Sequence, residues 1–237
     1  MKTSSLFSTT LIILSFSAIL LSCKKDNATK SMCRITRLTG GNIAFNYKYN
    51  PEGKLSTIII DDDSIVFSYN GSIINENVYT SGVFSSKDVI TLNANGMPSN
   101  VRSEGNATGT VWDNFAFEYN GTEVTKQTRT NSAGAAPIVT TYTWRDGNLV
   151  VIVDAASTAR FEYFNEKPAT MGDYISYLNL QKGYQIFRTK NSPKALITSN
   201  TSTTDFNYTY DSDGKITALT AINGATEATL DYQYECK

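Results

Sequence analysis

The sequence predicts an all-β fold, an antiparallel meander of roughly 12–16 strands closed into a barrel. Three observations predict it. From Cys33 onward, apolar and polar residues alternate with period two in one segment after another. Turn glycines recur at Gly53, Gly71, Gly96, Gly121 and Gly147, spaced by 18, 25, 25 and 26 residues. Two cysteines, Cys33 and Cys236, stand at the two ends of this alternating region. A repeat of about 25 residues holds two strands, a tight turn and a looser return loop. An open, strongly curved sheet is the alternative, and joined ends favour closure because closure removes exposed strand edges.

The repeated unit is clearest in FNYKYNPEGKLSTI, which begins at Phe45, and in its echo FNYTYDSDGKITAL, which begins at Phe206. Phe45, Tyr47 and Tyr49 fall on one face of a strand, with Asn46 and Lys48 on the other. Asn50-Pro51-Glu52-Gly53 then reads as a type I turn, with Pro at its second position and a glycine free to adopt positive φ. Leu55, Thr57 and Ile59 resume the alternation, and Asp211-Ser212-Asp213-Gly214 fills the same slot in the echo. Looser copies lie at FSYNG (Phe67), LNANG (Leu92), FEYNG (Phe117) and TWRDG (Thr143). One segment departs from period two: Met171, Tyr174, Ile175 and Leu178 follow helical spacing, which predicts a short helical insert near 168–181, packed over an end or opening of the sheet. Thr170 followed by Asp173 resembles a capping box at its start.

The N-terminus carries Lys2 and an apolar run from Leu11 to Leu21. That run is shorter than the roughly 20 residues a membrane-spanning helix needs, and it fits the core of a secretory signal. It leads into Leu20-Leu21-Ser22-Cys23, which resembles a bacterial lipobox. The expected organisation is a signal peptide over 1–22, a lipidated polar tether over 23–32 with Cys23 as the acylated residue, and a barrel domain over 33–237. Several acyl chains hold a protein on a membrane durably, at about 0.8 kcal/mol per buried methylene. Removal of 1–22 leaves 215 of the 237 residues, enough for one domain with a sizeable core. In an exported chain, Cys33 and Cys236 are expected to form a disulfide. Cys236 shares a face with Leu230, Tyr232 and Tyr234, and Cys33 alternates with Ile35, so the bridge requires the first and last strands to be neighbours.

Period two leaves open whether the aromatic face points inward, as in a soluble barrel, or outward, as in a membrane-spanning one. The soluble barrel is favoured. A lipid anchor is redundant on a spanning barrel, the chain ends in Glu-Cys-Lys rather than in an aromatic residue, and the strands show mixed charge with no clear aromatic girdles.

At this point the chain resembles a known family. The lipobox and tether are followed by a Cys-Arg-Ile start at Cys33 and a Tyr-Glu-Cys finish at Cys236. YDSDGKIT precedes the last strand, and the helical insert precedes Phe187-Arg188-Thr189-Lys190-Asn191-Ser192-Pro193. This order resembles a family of Bacteroidetes lipoproteins of unknown function with a porin-like β-barrel fold. The resemblance implies a barrel on an outer-membrane lipoprotein, and it implies no activity.

The residues exclude several chemistries. The chain has no histidine, so Ser-His-Asp and Cys-His sites and most zinc sites are absent. A mature charge of 20 Lys and Arg against 22 Asp and Glu, with no basic cluster, excludes nucleic acid as a partner. No cofactor is expected. Glu118, Asp154 and Glu162 are the strand carboxylates from which a glycoside-hydrolase pair would have to come, and Asp61–Asp63 with Asp211 and Asp213 read as turn residues rather than calcium ligands. Asp63-Ser64-Ile65 resembles an O-glycosylation signal of exported Bacteroidetes proteins, which makes Ser64 the candidate modified residue. Among 14 Tyr, 11 Phe and 2 Trp, the candidates for ligand contact are Trp112, in a loop-like stretch, and Tyr174 and Tyr177 on the insert. The expected function is a non-catalytic, lipid-anchored outer-membrane protein that binds a glycan, peptide or lipid. The alternatives are an envelope assembly protein with a protein partner and, last, a carboxylate-pair glycoside hydrolase.

Overall fold

A computed structural model describes residues 33–198 and 202–236. The predicted signal peptide, the tether and the lipidation residue Cys23 lie outside the described residues. The first half of the barrel runs Cys33–Gly40 (β1), Ile43–Tyr49 (β2), Leu55–Ile60 (β3), Asp63–Asn70 (β4), Ile73–Thr80 (β5), Val83–Leu92 (β6), Pro98–Glu104 (β7) and Trp112–Asn120 (β8). The second runs Glu123–Asn131 (β9), Ile138–Arg145 (β10), Asn148–Val153 (β11), Thr158–Pro168 (β12), helix Tyr174–Lys182 (α1), Asn191–Thr198 (β13), Ser202–Tyr210 (β14), Ile216–Asn223 (β15) and Thr226–Cys236 (β16). Every strand pairs with its sequence neighbours, and β16 returns to β1, closing an antiparallel barrel of sixteen strands. At the seam Cys33 lies opposite Cys236, Ile35 opposite Tyr234 and Leu38 opposite Tyr232. The Cys33–Cys236 disulfide bridges the first registered pair, with Cα atoms 4.0 Å apart.

The aromatic face points inward. Tyr47, Ile58, Phe67, Phe206, Leu219 and Tyr232 are buried in one lumen-facing cluster, against which Phe45 and Tyr49 pack. The opposite phase is exposed and predominantly polar: Asn46, Lys48, Ser68, Glu118, Arg145, Glu162, Asn207, Asp231 and Gln233 stand on the outer wall, interspersed with single apolar residues such as Val66, Ile73, Val139 and Val153. A barrel that spans a bilayer turns an apolar band outward. This wall has the reverse polarity, which suits contact with water.

Strand direction sorts the connections onto two rims. One rim carries Cys33, Cys236, the turns 50–54, 71–72, 93–97, 121–122, 146–147 and 211–215, and the long connection 169–190 that contains α1. The other carries the described turns 41–42, 61–62, 81–82, 105–111, 132–137, 154–157 and 224–225. The first is called the plug rim below, and the second the far rim.

The repeated sentence builds the plug rim. Near the end of each even strand, an aromatic side chain donates a hydrogen bond to a backbone carbonyl at the start of the preceding strand. The pairs are Tyr49 to Ile35, Tyr69 to Leu55, Tyr119 to Pro98, Trp144 to Val124, Tyr163 to Leu149, Tyr208 to Pro193 and Tyr234 to Ile216, at 2.6–2.7 Å. β6 ends instead in Leu92. The carbonyls at these positions sit at strand ends, where a buried acceptor without a partner costs about 1–3 kcal/mol. The glycine turns that follow are tight: Gly53 donates to the Asn50 carbonyl and Gly214 to the Asp211 carbonyl, as type I turns require.

The helical insert exists, but it begins later than its sequence spacing predicts, and Asp173 rather than Thr170 is its N-cap. The Asp173 carboxylate accepts from the Ser176 amide, and also from the Thr170 amide and the Ser192 hydroxyl. The insert sits at an opening of the barrel, one of the two placements its spacing leaves, and α1 is drawn into the lumen there. Tyr174 stacks on Phe206 at 4.2 Å between ring centroids, Gln181 donates to the Tyr47 hydroxyl, and Ile175 packs with Leu149 and Phe161. Strands from opposite sides of the barrel therefore grip one helix. Gly183 ends it with φ of 69° and seats so close to the Phe67 ring that no Cβ fits there.

Candidate functional site

Directly opposite residues in antiparallel strands share a face. The registers therefore place Phe67, Glu76, Asp88, Ser103, Asp113 and Asn131 in one row across β4 to β9 on the lumen wall. The next row toward the plug rim is Ile74, Ile90, Val101, Phe115, Arg129 and, on β10, Ile138. Thus the lumen is lined by apolar side chains around α1 and by polar ones on the β5–β9 side toward the far rim.

Two cavities open among the far-rim loops on this polar side. One, of about 400 Å³, is lined by Ser86, Asp88, Ser103, Trp112, Asp113 and Asn131, with loop residues around them. The other, of about 340 Å³, is lined by Phe115, Gln127, Arg129, Ile138, Thr140 and the 154–156 loop. Between them Arg129 grips Asp113 with two hydrogen bonds of 3.0 and 2.9 Å. Gln127 accepts from the Tyr142 hydroxyl. These groups form a fixed set of carboxylate, guanidinium, amide and hydroxyl functions beside aromatic rings, a combination suited to a hydroxyl-rich ligand. A third cavity, of about 340 Å³ at the plug rim, is walled by Ile35, Tyr49, Leu55, Leu180 and Tyr184, and it belongs to the packing of α1 against the wall.

The strongest electrostatic feature is the neighbouring pair Glu76 and Asp88, directly opposite each other on β5 and β6. Glu76 is only 8% exposed. Burial, then the Asp88 charge, push its carboxyl up to about 7, against the pull of Lys182 in the last turn of α1. Burial raises Asp88 as well, opposed by the Ser103 hydroxyl and by Lys182. Glu76 is thus close to half-protonated at neutral pH.

The sequence-predicted residues fall in different places. Trp112 is the first residue of β8 rather than a loop residue; it lines the larger cavity, and the Arg102 guanidinium lies over its ring at 4.7 Å. Tyr174 and Tyr177 both sit within the plug, 6.3 Å apart between centroids, and pack against the lumen core. Ser64 is on β4, paired with Ile59 and Tyr79 in the outward phase. The carboxylates Glu118, Asp154 and Glu162 do not converge: Glu118 pairs with Lys126, Glu162 lies 3.8 Å from Lys194, and Asp154 caps its own loop through the Ala156 and Ser157 amides. Asp211 and Asp213 bond Lys215 and the turn amides, and no cluster of three metal-ligating side chains occurs among the described residues. The acid pair was missed, although a signal for it exists. Glu76 is in phase with Ile74 and Val78, and Asp88 with Ile90 and Leu92, so each is a charge written on an apolar face.

No family model matches the chain, and no curated protein matches it in sequence. Solved structures do match in fold. A porin-like protein from Bacteroides uniformis aligns with a TM-score of 0.65 at 15% identity, over 85% of this chain and 98% of that one. A porin-like protein from Bacteroides vulgatus aligns at 0.59 and 13% identity, over 84% and 97%. The chain therefore shares the fold of these Bacteroides porin-like barrels.

Proposed function

We propose that the chain is a non-catalytic, lipid-anchored protein of the bacterial outer envelope that binds a hydrophilic, sugar-like ligand in the far-rim half of its lumen. One observation carries the reading. At the plug rim α1 occupies the lumen and leaves a mostly apolar cavity beside it, whereas the far rim holds two cavities, from β6 round to the 154–156 loop, walled by fixed polar groups. The likeness to porin-like barrels supports an envelope setting, and the lipobox at Cys23 supports an anchored one. The polar outer wall and the helix in the lumen argue against a conducting, membrane-spanning pore. β1 starts at Cys33 on the plug rim, the end opposite the binding cavities.

The test is a thermal-shift screen of the full-length protein in detergent against oligosaccharides, peptides and lipids. A ligand present at about 100 times its Kd stabilises by about 2.7 kcal/mol. Stabilisation by oligosaccharides supports the reading, and no stabilisation by any class refutes it. For the anchor, Cys23→Ser is expected to move the protein from the membrane to the soluble fraction. Unchanged fractionation refutes lipidation.

A further inference from the structure

The polar half of the lumen is unevenly compensated. Asp113 is neutralised by Arg129 in the lumen, and on the outward phase of β7 Glu104 is neutralised by Arg102 at 2.9 Å. Glu76 and Asp88 have no such partner. Lys182 exerts a pull on both, yet no ion pair reaches either carboxylate among the described residues. The Ser103 hydroxyl beside Asp88 favours its charged form, whereas Glu76, only 8% exposed, accepts no hydrogen bond from any described residue. The carboxylate oxygens of Glu76 are not among the fully enclosed unpartnered atoms, so they open onto the lumen, where a largely desolvated acid without a partner is completed by a cation that enters. Asp88 lines the larger cavity, and Glu76 stands beside it on the same lumen-facing row.

We infer that Glu76 and Asp88 form a subsite for an ammonium group, so that the glycan bound in the lumen is one that carries a free amine. An ammonium supplies a positive charge and three donors in one compact group, which two adjacent carboxylates can share. The donor set favours an organic cation over a metal ion, because among the described residues the pair has no third acidic, histidine or cysteine ligand close enough to complete a metal site. Neighbouring Ser86, Ser103 and Asn131 offer hydroxyl and amide partners for the sugar ring. Facing the pair are Phe67 from β4, Ser103 from β7, and Lys182 and Tyr184 from the plug. Lys182 is then the fixed cation that keeps the empty site tolerable, and the ligand's ammonium supplies the second charge.

The inference rests on the lumen-binding reading and is tested separately from it. The full-length protein in detergent is titrated calorimetrically, near neutral pH, with a trimer of β-1,4-linked glucosamine and with its fully N-acetylated counterpart. The amine trimer is expected to bind at least about tenfold more tightly, the effect of roughly one charge-assisted hydrogen bond. Glu76→Gln and, independently, Asp88→Asn are expected to bring the affinities of the amine and acetylated trimers to within about twofold of each other, whatever either substitution does to binding as a whole. Thermal melts of both variants check that the barrel is intact. Equal binding of the two trimers, or a preference that survives both substitutions, overturns the amine subsite and leaves lumen binding standing. Binding of neither trimer overturns both.

Discussion

Glu76 makes the protein's stability depend on pH in a direction opposite to that of most carboxylates. Its carboxyl moves from an ordinary 4.5 in the unfolded chain to about 7 in the barrel. The folded state therefore binds the proton more tightly than the unfolded state does. The associated stability is fully present below about pH 4.5 and is lost as pH rises through about 7. A displacement of about 2.5 pKa steps at about 1.4 kcal/mol each is about 3.5 kcal/mol, of which about 3 kcal/mol is expected once the remaining exposure of the carboxyl is discounted. Glu76→Gln keeps the shape and removes the charge. Relative to the wild type, the variant should gain stability as pH rises from about 5 to about 8, approaching that 3 kcal/mol at the upper end. For a domain of this size, each kcal/mol moves the melting temperature by about 2–4 °C, so the two melting curves should separate by up to about 6–12 °C. Differential scanning calorimetry of both proteins across that pH range measures the separation. The divergence should grow steadily from about pH 5 and level off above about 7. Melting temperatures that run parallel from about pH 5 to about 8 refute the burial and pairing assigned to Glu76.

Other substitutions probe the frame. Replacing both Cys33 and Cys236 by Ser opens a covalent loop spanning 203 residues of sequence. The loss should be at most about 5 kcal/mol. It should be smaller in practice, because the β1–β16 ladder survives; urea midpoints unchanged from those of the oxidised protein refute a stabilising seam. Gly183→Ala places a Cβ against the Phe67 ring at a left-handed φ of 69° and should cost at least about 2 kcal/mol by chemical denaturation, a null result meaning that α1 is not seated as described. Tyr69→Phe removes the 2.7 Å bond to the Leu55 carbonyl and should cost about 1 kcal/mol, with no change in the denaturation midpoint counting against the aromatic ring at the plug rim.

The barrel was legible because each device that builds it is local. A period-two strand, a type I turn and a recurring aromatic each occupy a few adjacent residues, and Asn50–Gly53 shows the turn as its letters imply. The seam was legible from the phase of Cys236 with Tyr234 and Tyr232. What the letters did not show was which contacts the repeated aromatic makes. Tyr49 and Ile35 are 14 residues apart and meet only through register, so the shared hydrogen bond appears only once the strands are paired.

The position of α1 was written in its sequence but is easily misread. Met171, Tyr174, Ile175 and Leu178 invite a single apolar stripe, which describes a lid resting on a surface. Including Tyr177 and Leu180 spreads the apolar residues round well over half of the helix, which describes a helix surrounded by a wall. The same reading locates the site. A helix that fills one end of the lumen satisfies the aromatic side of the barrel and leaves the charged side of β5 and β6 without a packed partner. Glu76 and Asp88 are therefore separable from the aromatic core by sequence logic: both interrupt an apolar phase, on adjacent strands, at registered positions. A lone charge in an apolar phase is ordinary noise, but two that face each other across one hairpin create a cost that only a proton or a cation can lower.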